Sequence, residues 1–349
     1  MHKKSAWLSI VVLGSLAACD IPTAAPKYTT QWDIPAKSTS ISVNSLLPSG
    51  VSATADNSAF QATISPSSTT ISRSLGQDCS ACAASNGFSI PKPAFVGQGN
   101  ASVALPSGVA SATLVRDTLT VTINNGFNFD PIRPSPTARG YYVVRVLSGT
   151  TVVGRDSLDG SAIAMPAGGV VTRKIALAGT IAGNGGLQIV TSLSSPAGDA
   201  VSMDMTRTIS VSGSTGPLYL SSASVSLANQ TVSSSATQFD LSSLDKSITD
   251  RVNDGALELT VTNPFAATGN LSVTLTADGT TITKPVVLGS GTTTPVVSLT
   301  KSDLQALFGH QVAIGFAGTV SGSNVVVTPG QTVSVVARMQ IGLNTGSNQ

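Results

Sequence analysis

The chain has 349 residues, 41% of them apolar, 4% aromatic and only 10% charged, with a formal charge of +2. That length has room for two or three domains, and Ser, Thr, Gly and Ala stand where typical soluble domains carry about 25% charged residues. Glu occurs once, at Glu258, and no basic run beyond residue 18 exceeds Arg173-Lys174, which excludes a helix-rich architecture and a nucleic-acid footprint.

Met1-His-Lys-Lys4 is basic, Ala6 to Leu13 is an apolar run too short for a comfortable bilayer span, and Leu16-Ala17-Ala18-Cys19 follows. In that order the three resemble the signal and lipobox of bacterial lipoproteins; the bland alternative is an ordinary secretory signal with a chance cysteine. The resemblance implies that residues 1–18 are removed and that Cys19 becomes an acylated first residue, anchoring the protein to a membrane. Loss of Lys3 and Lys4 with the leader leaves 17 basic residues against 17 acidic ones. The location implied is a bacterial envelope, facing periplasm or cell surface. Residues 19–37 hold three prolines and no sustained period, and read as a tether. Tyr28 and Trp32 are expected to pack onto the first sheet.

Residues 38–99 form an N-terminal β segment. Ile41 to Val51 and Phe60 to Ile64 look like the opening of a truncated sandwich or strands added to the next domain. Leu-Pro-Ser-Gly-Val at 47–51 recurs at 105–109. Within this segment Cys79 and Cys82 are an even pair once Cys19 is lipidated. A c-type haem would need His at Ala83, zinc lacks ligands, and Gly87, Pro91 and Pro93 oppose a thioredoxin-like helix. A small structural disulfide is the expectation.

A repeat follows. Leu119-Thr-Val-Thr-Ile-Asn-Asn-Gly-Phe127 matches Leu257-Glu-Leu-Thr-Val-Thr-Asn-Pro-Phe265, 138 positions later, and the match extends ungapped over 101–127 and 239–265. Alternating apolar and polar residues make each a half-buried strand, with Leu119, Val121, Ile123, Leu257, Leu259 and Val261 inward and Glu258 outward. Tyr141 to Val152 and Leu271 to Ile282 correspond as hairpins turning at Gly149 and Gly279. Two independent antiparallel β-sandwiches of immunoglobulin-like architecture are predicted, 100–213 and 217–343, each of about seven strands, with a tail at 344–349. A short helix is expected at 300–309, with Ser302 as N-cap, Gln305 completing a capping box and Gly309 as C-cap. The Asn-Pro-Phe turn resembles the Asn-Pro motif of the LEA14/water-stress β-sandwich family, from which Asn125-Gly126 departs. That resemblance implies a sandwich and no activity.

Catalytic candidates do not assemble. His310 is the lone histidine after the leader and no Gly-x-Ser-x-Gly elbow accompanies it. A single Glu gives no Glu pair for glycoside hydrolysis, although Asp pairs are open to that reading. Asp156/Asp159, Asp199/Asp204 and Asp250/Asp254 could offer oxygens to calcium, but read as turn chemistry. The expectation is therefore a non-enzymatic, lipid-anchored envelope protein without cofactor or metal, serving structure or contact with an envelope protein. The alternative is a glycan- or ligand-binding module. Its candidate patch is Phe127, Phe129, Arg133 and Arg139, around a Pro-rich insertion at 130–139 found in one copy alone.

Overall fold

The computed structural model describes residues 29–344 apart from Asn184 and Asp245, so the leader, Cys19, Tyr28 and the end of the tail lie outside the described residues. The fold is all-β and antiparallel, in sheets of eleven, five, four and two strands. Alternation in the sequence becomes alternation in burial. Leu119, Val121, Ile123, Leu257, Leu259 and Val261 are all buried, at 3% exposure or less. Glu258 points away from that core, opposite Arg338 in the register of the neighbouring strand.

The two repeats share one strand order, which the sequence match alone does not supply. In the first unit Val170–Ala182, Val109–Asn125, Thr208–Ser214 and Ser68–Ser74 lie side by side. They face a four-stranded sheet ordered Phe95–Val103, Leu187–Ser195, Tyr141–Ser148, Thr151–Asp159. Gly213 of the first layer lies against Ile189 of the second, and Gly154 of the second against Leu177 of the first. The second unit repeats the order. A strand broken into Gly291–Thr293 and Val296–Leu299 is followed by Val252–Asn263, Thr332–Asn344 and Thr29–Ser42. Facing them are Leu218–Ser233 with Thr237–Asp240, then Gln311–Val327, Thr268–Ala277 and Thr280–Leu288. Each unit is thus four strand positions on four, one more than the seven expected.

Residues 29–37 are not tether: they begin a 14-residue strand, Thr29–Ser42, that pairs with Thr332–Asn344 from Thr29↔Asn344 to Ser42↔Thr332. Two features allow it despite its proline. It is an edge strand, and its register shifts between Ile34 and Lys37, so Pro35 need donate nothing to the ladder. Trp32 accordingly belongs to the second unit, not the first sheet, and remains 41% exposed. The expected tail at 344–349 also begins one residue too early, since Asn344 still belongs to a strand.

The sandwiches are not separate bodies either. Thr208–Ser214 and Leu218–Ser233 run one after the other along the same edge of Val109–Asn125, and the second continues alongside Gln311–Val327. One sheet therefore spans both units. The 38–99 segment is no domain of its own, because its strands are distributed among both units. The hairpin Val51–Ala53/Phe60–Ala62 caps the shared strand at Leu218–Leu220. The two Leu-Pro-Ser-Gly-Val turns meet here. Gly50 and Gly108 have φ of +84° and +86°, the left-handed position of a tight turn. Each lies against the other's proline, Pro106 and Pro48.

The repeated asparagine explains the Asn-Gly-Phe and Asn-Pro-Phe turns. Asn125 and Asn263 are both buried, and the side-chain oxygen of each accepts from the Phe127 or Phe265 backbone N–H. Asn125 Nδ2 donates to the Phe129, Met165 and Pro166 carbonyls, and Asn263 Nδ2 to those of Ala267 and Gly289. Gly126 departs from proline for a physical reason: its N–H donates to Thr208 O at 3.0 Å, and a Cβ would collide with that same carbonyl. The helix is found at Lys301–Leu307, but Thr300 caps it, Asp303 completes the box and the C-cap is Phe308. Gly309 follows with φ +79°. An unforeseen one-turn helix, Leu75–Asp78, is capped in the same way by Ser74 and Gln77.

Candidate functional site

The predicted patch does not exist as a surface. The alternation of the strand runs on past its end, so Val121, Ile123, Asn125, Phe127 and Phe129 all face inward. Phe127 and Phe129 are stacked 5.3 Å apart, and Phe95 meets both edge-on at 6.2 and 6.3 Å. Arg133 donates to the Gly160 and Ser161 carbonyls, while Arg139 closes its own loop through those of Ser135, Pro136 and Ala138. Asp130 fastens the insertion from within, accepting from the Ile132, Arg133 and Met165 amides. The insertion is a plug over the sandwich end. Its two phenylalanines are core and its two arginines are loop ties.

Beside this cluster sits Lys92, only 1% exposed, which sequence reasoning passed over. Its ammonium lies 4.7 Å from the Phe95 ring centre and 5.4 Å from that of Phe129. It donates to Pro93 O at 3.0 Å and Pro196 O at 2.5 Å. Burial lowers its pKa to about 8. Between pH 8 and the usual range near 10.4, the unfolded chain therefore binds a proton that the folded chain does not, so stability rises with pH there. Denaturant unfolding at pH 8 and pH 10 is expected to show a gain of about 2 kcal/mol from this group, absent in Lys92→Met. Above pH 10 Tyr142 opposes the trend, because burial holds its phenol up at about 12. A flat profile for the native chain across pH 8–10 would contradict the reading.

Cys79 and Cys82 are bonded to each other, with Cα atoms 5.3 Å apart and both side chains buried. The bridge stands directly after the one-turn helix, whose Asp78 pairs with Arg73 at 2.8 Å. Burial raises the Asp78 carboxyl above its usual range, and Arg73 acts against that shift. His310 is half-buried and offers its backbone carbonyl to Leu241. Asp156 is held by Arg173 and Asp204 by Thr206 and Arg207. Among the described residues no three His, Cys, Asp or Glu side chains gather where they could hold a metal. No described helix is long and apolar enough to cross a membrane.

Open grooves cross the surface. One, of 610 Å³, lies at the Thr29 end of the first described strand and is lined by Thr29, Gln31, Asp254, Ser298 and Gln340. Another, of 450 Å³, lies on the four-stranded sheet of the first unit, over Tyr141, Arg145, Arg155, Ser157, Asp159 and Ser192. Neither set was singled out in the sequence, since its members converge only through strand pairing.

No protein-family model and no curated protein matches the chain. Among solved structures, it is similar to a secreted protein, itself described as putative, from Parabacteroides distasonis. The identity is 9% over 91% of this chain and 100% of that one, with a TM-score of 0.36. It is also similar to peptide:N-glycanase F, at 10% identity over 81% and 96% of the two chains and a TM-score of 0.20. A Broad Bean Stain Virus structure matches at 8% identity over 86% and 93%, also with a TM-score of 0.20. At such scores the fold rests on this chain's own strand order.

Proposed function

We propose that the chain is a non-enzymatic, lipid-anchored cell-envelope protein in which the second unit is the base and the first unit is held outward for contact. The observation that carries this reading is the direction of the first described strand, Thr29–Ser42. The Ser42 end of the first strand adjoins the first unit through the paired Leu-Pro-Ser-Gly-Val turns, and Thr29 lies at the opposite end. Fourteen residues of strand put roughly 40 Å between those ends. From Cys19 to Thr29 the chain can extend at most about 36 Å, so an anchor at Cys19 would sit near the base. The interlocked units and tied loops favour a rigid spacer or contact module over catalysis.

Replacing the acceptor thiol tests the anchor. Cys19→Ser is expected to abolish incorporation of labelled palmitate and to leave precursor or unanchored protein in fractionated cells. Labelling that persists in that variant would overturn the lipoprotein reading.

A further inference from the structure

We infer that the outer face of the first unit's four-stranded sheet is a binding site for an acidic oligosaccharide, with Arg145 and Arg155 as its carboxylate-binding pair. The two arginines stand directly opposite one another on adjacent strands, in register Arg145↔Arg155, and both are exposed. Like charges in that position, about 5 Å apart at the backbone, destabilise a sheet. In a chain only 10% charged such a pairing is conspicuous. Among the described residues neither arginine has an ion-pair partner: the neighbouring Asp156 points through the sheet to Arg173, at 2.6 Å. The paired guanidinium forks are therefore free to take a planar carboxylate between them.

The rest of the groove selects a sugar over a simple anion. Val143 lies between the arginines and Tyr141 on the same side of the strand and is only 8% exposed, forming an apolar floor. Tyr141, 51% exposed, supplies an aromatic face at the far end. Its register partner is Asp159, whose carboxyl is kept below its usual pKa range by the Ser161 amide. Ser157 and Ser192 line the middle. Four residues of strand separate the Arg pair from the Tyr141–Asp159 pair, roughly 13 Å, so a ligand meeting both must be an oligomer. Asp159 can accept hydrogen bonds from sugar hydroxyls. A chain that offers both carboxylates and hydroxyls along its length, such as a polyuronate, meets each requirement. The inference does not depend on lipidation, and its test is independent of Cys19.

The test is calorimetric titration of the full chain in detergent with oligogalacturonate, with neutral dextran and poly-L-glutamate as comparisons. Oligogalacturonate is expected to bind, more weakly as salt rises, while dextran does not. Arg145→Ala and Arg155→Ala should each weaken binding tenfold or more, and Tyr141→Ala several-fold. Arg155→Glu should abolish binding yet raise the melting temperature of the free protein, because it converts a repulsive cross-strand pair into an attractive one. That gain separates a lost site from a lost fold. No binding by folded protein at low salt, or binding unchanged in Arg155→Glu, would overturn the inference. So would poly-L-glutamate binding as tightly and without dependence on Tyr141, which would assign the face to an acidic peptide.

Discussion

Deleting Thr29–Ser42 is expected to unfold the second sandwich. The strand's Ile41 is 1% exposed, and it seats Val43, the first residue beyond the strand, which is likewise 1% exposed. Truncating one such side chain costs about 2–5 kcal/mol. Each ladder hydrogen bond lost with the strand removes about 0.5–1.5 kcal/mol more. Together these rival the whole stability of an ordinary domain, about 5–15 kcal/mol. Circular dichroism and denaturant titration of the shortened chain should show loss of cooperative unfolding or aggregation. A shortened chain that melts within a degree or two of the intact one would restore the tether.

Leu119→Ala and Leu257→Ala are each expected to cost about 2–5 kcal/mol, since both side chains lie in the inter-sheet core at 3% and 0% exposure. Glu258→Ala, on the outward face, should change stability by no more than about 0.5 kcal/mol. Two independent sandwiches would give two calorimetric transitions, each Leu substitution lowering one. The shared sheet and the N-terminal strand housed in the second unit predict one transition lowered by either substitution. Melting either unit would strip the other of a paired edge. Two transitions that respond separately would show that the common sheet does not couple the units.

What was legible in the sequence was local. A period of two fixed the inward face of each strand, and the 138-residue match placed equivalent strands in equivalent positions of both units. Pairing between distant segments leaves no such period. Nothing in Leu218–Ser233 says that it lies beside both Val109–Asn125 and Gln311–Val327, so the chain reads as two bodies where one sheet runs through. Thr29–Ser42 was obscured by Pro35, which reads as tether until the edge position and the shifted register make it harmless. Phe127 and Phe129 are core for a simpler reason: the alternation of buried residues in Val109–Asn125 continues through the turn beyond the strand's end. Lys92, a lone cation among apolar residues, becomes visible only once distant strands are set side by side, whereas Arg145 and Arg155 lie on the one expected hairpin and face each other through the register shift between Val146 and Leu147.

Hydrogen exchange on the intact chain, resolved to short peptides, addresses the interlocked architecture most directly. The account predicts that the amides of Thr29–Ser42 that face Thr332–Asn344 exchange slowly and in step with their partners. Both segments should lose protection together as denaturant is added. Exchange of residues 29–37 at the rate of an unpaired chain, beside a fully protected Thr332–Asn344, would contradict it.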